Sequence, residues 1–212
     1  YKCKYMIKNF WRNKKISKII LNNYDYLVNN INCKYVWKCD QQNIKKLYQK
    51  NITKNHLEIG PGTGYFLKDF QFDNLVIMDI NRDVLTESLI NLKDNSKKIT
   101  ALNHNIFEKD NMINLDGIES VGLSYVLHCV PGRLNQSMEN MVNNINNSNP
   151  IYFGSTVLPS KHIDIAMIEI QVLNKLGIFN NINHSEADIE EFLKLYNSNI
   201  IKEGHSFIFD FK

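Results

Sequence analysis

Glu58, Gly60, Gly62 and Gly64 occupy every second position of the stretch HLEIGPGTGYFL, residues 56–67, and an acid, Asp79, follows at the end of the next apolar run, NLVIMDI. Three of the chain's nine glycines fall within five residues there. Glycine lets a backbone turn tightly and lets a ligand approach it closely, and a turn that follows a strand offers free N–H groups. Phosphates, dinucleotides and S-adenosylmethionine are the ligands that use such turns. A phosphate loop reads GxxxxGK[ST], and no Lys-Ser or Lys-Thr follows Gly60. A nicotinamide fingerprint reads GxGxxG/A, and the third place after Gly60 and Gly62 holds Tyr65. What stands here is ExGxGxG with a carboxylate one strand later.

The pattern around these residues alternates. Apolar runs at 56–60, 74–80, 97–105, 118–128 and 150–158 read as strands, and TGYFLKDF (63–70) as a short helix opened by the glycines. Residues 81–94 read as a helix capped by Asn81, followed by helices over 134–145, 164–177 and 185–196, the last with Ser185 as cap and Asp188 three residues on. The closing stretch NIIKEGHSFIFDFK reads as two strands turning at Glu203-Gly204. Strands alternating with helices imply βαβ units. The expected fold class is therefore α/β: a Rossmann-like, mostly parallel seven-stranded sheet with helices on both faces and a C-terminal antiparallel hairpin. Residues 1–50, with helical period over 16–31 and 41–51, form an N-terminal cap of the same domain, and residues 51–212 form the sheet domain.

The chain of 212 residues, 43% hydrophobic and 22% charged, suits one soluble domain, and no apolar run is long enough to span a bilayer. No basic-apolar signal pattern opens it, and the four cysteines lack metal or disulfide spacing, which points to reduced thiols and a cytoplasmic protein. The net charge of +3 does not by itself call for nucleic acid. Its placement is uneven, since residues 1–24 carry seven Lys or Arg, no acid, and interleaved aromatics. That arm reads as a solvated amphipathic helix, with an RNA-facing or membrane-surface arm as the rival.

The combination LEIGPGTGYFL…VIMDI closely resembles motifs I and II of the class I S-adenosylmethionine-dependent methyltransferases, and the order of elements resembles theirs over residues 56–212. The stretches VWKC, HLEIGPGTGYFL and VLHCVPG look like a small-molecule branch met in secondary metabolism. The resemblance implies S-adenosylmethionine as cofactor. Gly60, Pro61, Gly62 and Gly64 would pass beneath its methionyl and ribose parts. Glu58 would support the loop and meet the amino group through water, Asp79 would take both ribose hydroxyls, and Ile80 would lie on the adenine. Asn105 stands where the family has an acid for the adenine amino group, with Ile106 or Phe107 walling the ring. Ser124 and Tyr125 would lie beside the cofactor.

For the acceptor, His128 closes the fourth strand in LSYVLH, at the carboxyl edge where open α/β sheets bind ligands, as general base or as orienting hydrogen-bond partner. Tyr24 and Trp37 of the cap, Tyr125 in the fourth strand and His162 after the fifth strand are further acceptor candidates. The paired acids plus Asn of catechol-type metal enzymes are missing, which implies metal-independent transfer. The Asn/Asp-Pro-Pro-Tyr signature of base-methylating enzymes is also missing, which ranks nucleic acid below a small molecule as partner. An RNA or protein methyltransferase using the basic arm, and a cofactor-binding module without turnover, are the alternatives. Oligomeric state is not legible in these residues.

Overall fold

The structure, a computed structural model, describes residues 32–146 and 149–212. The basic arm, the helical period over 16–31 and Tyr24 lie outside the described residues. The described chain opens on a short wide-helical turn, with Trp37 N–H donating to the Asn32 carbonyl (2.8 Å). It continues through α1 (Gln41–Asn51), β1 (Asn55–Ile59), β2 (Phe72–Asp79), α2 (Arg82–Leu92) and β3 (Ser96–Asn103). The two-residue β4 (Ile113–Asn114) and then β5 (Ser120–Ser124), α3 (Leu134–Asn144), the two-residue β6 (Ile145–Asn146) and β7 (Ile151–Val157) follow. Helices α4 (Ile165–Lys175) and α5 (Glu186–Leu193) lead into the hairpin β8 (Ser198–Glu203) and β9 (Ser206–Phe211).

Seven strands join one sheet in the order β3-β2-β1-β5-β7-β9-β8. The first five are parallel, and β9 runs antiparallel to both β7 and β8. This is the expected fold class, seven strands and closing hairpin included. The parallel strands are apolar on both sides because both sides are covered. Leu57, Ile59, Val121 and Leu123 enter one core with Met138, Met141, Ile189 and Phe192 of α3 and α5. On the opposite face, Leu75, Ile77, Phe153 and Ile208 pack with Ile44, Leu47 and Tyr48 of α1 and with Leu85 and Leu92 of α2.

Both expected caps are present. Asn81 accepts from Asp83 N–H (2.9 Å), and Ser185 with Asp188 closes a reciprocal capping box. Two expectations are corrected. Residues 63–70 are not a helix but a run of tight turns, Gly64 N–H to Pro61 O, Leu67 N–H to Gly64 O and Phe70 N–H to Leu67 O. The reason is local: Gly64 sits at φ +78°, outside helical space, and side chains of α2 take carbonyls that a helix would have used. Ser88 Oγ donates to Gly62 O (2.7 Å) and Asn91 Nδ2 to Thr63 O (3.0 Å). The second correction concerns 118–128. The strand stops at Ser124, Tyr125 takes φ +60°, and His128 lies in a 3₁₀ turn, Leu127–Cys129, rather than in the sheet.

Candidate functional site

The site candidates collect at the carboxyl edge of β1, β2 and β5, where strand order reverses direction on either side of β1. Gly60 N–H still bonds Met78 O (2.8 Å), so the chain leaves the sheet only at this residue, with φ +63°. A Cβ at Gly60 would strike Val126 Cγ2, and one at Gly64 would strike Leu92 Cδ1 at 2.8 Å. At Gly62, φ +58°, a Cβ would meet no atom within 4 Å. Its open side is thus the side from which a ligand can reach the backbone. Gly60 and Gly64 are small because the protein itself crowds them, whereas Gly62 leaves room for something else.

Asp79 ends β2 beside this turn. Its Oδ1 accepts from Asn81 N–H (2.7 Å), and burial holds its carboxyl above the usual carboxylate value, against the pull of the Asn81 and Ile80 N–H groups. Arg82 and Asn103 fix the strand end, through Arg82 Nε to Asn103 Oδ1 (3.0 Å) and Asn103 Nδ2 to Asp79 O (3.0 Å). Ile80 is 71% exposed, a large apolar surface next to a carboxylate. Ser124, closing β5, is buried beside the Tyr48 phenol, and among the described residues its Oγ has no partner at hydrogen-bond geometry. An open glycine, a carboxylate, an exposed isoleucine and an orphaned hydroxyl at one sheet edge fit a nucleoside joined to a polar chain.

Other candidates sit differently from expectation. Glu58 is buried, with Oε1 accepting from Tyr48 Oη–H (2.6 Å) and Oε2 2.9 Å from His56 Nε2, so this chain itself engages both oxygens. Asn105 uses Oδ1 to accept from Phe107 N–H (3.3 Å) and Nδ2 to donate to Glu108 (2.9 Å). Ile106 points into the core, fully buried, whereas Phe107 of that pair is half-buried. Pro61 is half-buried, its carbonyl closing the first turn. His162 is exposed on the loop after β7, its N–H donating to Ser160 Oγ (3.0 Å).

The structure brings Trp37, Tyr125 and His128 together and adds Phe179. Ring centroids lie 5.2 Å apart for Trp37–Tyr125, 6.2 Å for Trp37–His128 and 4.2 Å for His128–Phe179. Trp37 is anchored by its indole N–H to Glu169 Oε2 of α4 (2.8 Å). Burial raises the Tyr125 phenol well above its usual value, with Cys33 and Cys39 beside it. His128 is buried, its Nδ1 without a partner among the described residues, and burial followed by the neighbouring His184 pushes its pKa down to about 3. The ring is therefore neutral at neutral pH. Cys129 neighbours Asp79, and burial of the thiol and then that charge push it up to about 12, although part of the residue stays open to solvent.

A depressed histidine has a consequence for acid stability. In the unfolded chain His128 takes up a proton near its ordinary value of 6.5, whereas in the folded chain it does so only near 3. The neutral ring is favoured by folding, so stability is lost progressively as pH falls from about 6.5 toward 3. Urea unfolding at pH 7, 5 and 4 measures this, and His128→Leu should flatten the loss relative to the wild type.

Sequence reasoning missed Phe179, Tyr48, His56 and Ser120. The alternation in HLE already puts His56 and Glu58 on one face of β1, but Tyr48 reaches Glu58 from the preceding helix and Ser120 reaches His56 from a strand 64 residues on.

No protein-family model matches the chain. Among curated proteins it is similar to demethylluteothin O-methyltransferase of Streptomyces thioluteus, 29% identical over 191 residues that cover 85% of this chain and 80% of that protein. It is also similar to methyltransferase aurB of Calcarisporium arbuscula, 27% identical with 83% of each covered. Among solved structures, OxaC in complex with SAH and oxaline superposes with a TM-score of 0.59 at 12% identity. That alignment covers 97% of this chain and about half, 53%, of the other, and it speaks for the fold. With the ExGxGxG turn, the Asp79 carboxylate, this strand order and these relatives together, the chain is similar in sequence and in fold to S-adenosylmethionine-dependent methyltransferases of the class I type.

Proposed function

We propose that the chain methylates a hydroxyl oxygen of a small, uncharged acceptor held against Trp37, Tyr125, His128 and Phe179. The single observation that carries this reading is the partnerless Nδ1 of His128, neutral and buried among aromatic rings. Such a nitrogen accepts a hydrogen bond from an acceptor O–H and offers no charge to an ionic group. The O-methyltransferase named above is a relative with that chemistry in its name.

S-adenosylmethionine, when bound, supplies an electrophilic methyl group on a sulfonium. Gly60, Gly62 and Gly64 would leave its path along the turn clear, Asp79 would accept from the ribose hydroxyls, and Ile80 would cover an adenine face. Ser124 Oγ would receive or give the hydrogen bond it lacks within the protein. His128 would aim the acceptor oxygen and not hold its proton, because a ring that protonates only near pH 3 is a weak base at neutral pH, so the hydroxyl proton would pass to solvent. The aromatic rings would exclude water, and correct placement of the two reactants is worth roughly 7–11 kcal/mol. Metal-independent transfer and a cytoplasmic setting belong to this proposal. Cys33, Cys39 and Cys129 carry free thiols, and among the described residues no helix is long and apolar enough to cross a membrane.

Calorimetric titration with S-adenosylmethionine, S-adenosylhomocysteine and NAD tests the cofactor side, with micromolar binding expected for the first two and none for the third. An assay of methyl transfer to a panel of phenols and enols, run with the wild type and with His128→Ala, tests the acceptor side. Turnover on the panel that falls at least tenfold in His128→Ala supports the reading. Turnover on RNA alone, weakening steeply with salt, would hand the function to the basic arm.

A further inference from the structure

We propose that Glu58 is a positioning residue: through Tyr48 and His56 it locks helix α1 onto the glycine turn, and it sets cofactor affinity by the shape of that turn rather than by meeting the cofactor's amino group. The proposal rests on the S-adenosylmethionine reading of the site.

The bonds form one continuous chain. Tyr48, on the buried face of α1, donates its phenolic hydrogen to Glu58 Oε1 (2.6 Å). Glu58 Oε2 lies 2.9 Å from His56 Nε2. A carboxylate only accepts, so Nε2 carries the hydrogen between them. His56 Nδ1 meets Ser120 Oγ of β5 (2.8 Å), and Ser120 Oγ meets Thr53 Oγ1 (2.8 Å) and accepts from Thr53 N–H (3.0 Å) in the turn between α1 and β1. Five residues from a helix, a turn and two neighbouring strands are thus joined without a break.

Packing holds the chain in one geometry. The His56 ring is fully buried between the stacked faces of Phe72 (5.7 Å, 20°) and Phe153 (5.8 Å, 24°). Tyr48 stacks on Phe66 of the glycine turn (5.2 Å, 21°) and meets Phe153 edge-on (4.9 Å). A second link lies one residue earlier, with Tyr65 Oη–H donating to Gln41 at the start of α1 (3.0 Å). Burial, and then the Glu58 charge, hold the Tyr48 phenol well above its usual pKa, so it stays a donor.

The turn begins two residues after Glu58. Any shift of Glu58 along or across β1 is carried to Gly60, while α1 is carried with it through Tyr48. A fixed α1 in turn fixes the chain before it, where Trp37 joins the aromatic group on the acceptor side. With both carboxylate oxygens engaged inside the protein, Glu58 acts on the cofactor through the turn.

Two probes separate positioning from direct contact: S-adenosylhomocysteine, which has the amino group, and 5′-methylthioadenosine, which lacks the whole amino-acid portion. Tyr48→Phe keeps the stacked ring and removes only the hydroxyl. It should weaken both ligands by the same factor, about three- to tenfold, with a melting curve that shows a folded protein. Glu58→Gln should weaken both alike, and the double variant should lose little more than the larger single loss, as coupled residues do. In protein labelled with ¹⁵N-histidine, the His56 Nε2–H resonance should shift as S-adenosylhomocysteine is added, which a purely structural histidine would not do.

If Glu58→Gln weakened S-adenosylhomocysteine alone while Tyr48→Phe changed neither ligand, Glu58 would be a direct ligand and the proposal would fall. An unmoved His56 resonance would overturn it as well. A wild-type protein that bound neither probe would overturn the cofactor reading and this proposal with it.

Discussion

Asp79→Ala is expected to lower affinity for S-adenosylhomocysteine by about two orders of magnitude, while the melting temperature should stay near that of the wild type. The expected size follows from the bonds lost. A carboxylate that accepts from two ribose hydroxyls makes two charge-assisted hydrogen bonds, each worth about 1.5–3 kcal/mol, and about 2.7 kcal/mol is already a hundredfold. Folding does not depend on the side chain to the same degree. Among the described residues its bonds inside the protein are to backbone N–H groups of the next two residues, Ile80 and Asn81, beside a helix whose cap is Asn81 itself.

The pH dependence adds a sign that only this arrangement predicts. Burial holds the Asp79 carboxyl above its usual value, so the proton returns at a higher pH than for an exposed aspartate. Ribose binding needs the ionised form, and affinity therefore falls as pH drops through that raised value. The unliganded fold behaves oppositely. It binds the proton more tightly than the unfolded chain does, so this residue adds stability as pH falls. Calorimetric titration between pH 8 and 4, paired with unfolding curves over the same range, reads both slopes. Affinity that is flat with pH in the wild type, or equal in wild type and Asp79→Ala, would remove Asp79 from the cofactor site.

Gly122→Ala destabilises the protein by about 3 kcal/mol, the upper range for a methyl group forced into a packed interior, and lowers the melting temperature by on the order of 10 °C. Gly122 lies in β5 opposite Glu58 of β1 in the parallel register. A Cβ there would collide with Glu58 Oε2 and come within 3.1 Å of His56 Cε1. The carboxylate would have to move, and its bonds to His56 and Tyr48 would lengthen together. Shortening the acid relieves the collision, so Gly122→Ala/Glu58→Ala should melt higher than additivity of the two single variants allows. Strict additivity in thermal melts would show that the glycine has no such neighbour.

These two positions also mark how much was legible beforehand. The place of Asp79 at a strand end is legible because its signal is local: an acid at the end of an apolar run, one strand after a glycine turn, with Asn81 as the next cap. Gly122 was not, because nothing in SVGLS says that a buried carboxylate from another strand lies across from it. The turns over 63–70 show the same limit from the other side. TGYFLKDF has the apolar spacing of a helix, and it is side chains of α2, twenty or more residues later, that claim its carbonyls. The largely apolar run LSYVLHCV puts His128 in a strand when read from sequence. The sheet ends four residues earlier, where Tyr125 turns into the left-handed region and its N–H bonds Ser155 O (2.8 Å).

By itself the sequence determined the order of strands and helices, the seven-stranded sheet with its closing hairpin, the glycine turn and Asp79. Each of these depends on residue type and spacing within about a dozen positions, the range over which periodicity, capping and backbone freedom act. The tertiary structure alone decided that Glu58 is engaged by Tyr48 and His56, that Ile106 faces the core, and that Phe179 joins Trp37 and His128. Tyr48 and His56 lie only ten and two residues from Glu58, yet which side chains meet is set by which faces of the sheet and helices pack together, and a buried polar atom takes whatever partner the packing brings within reach.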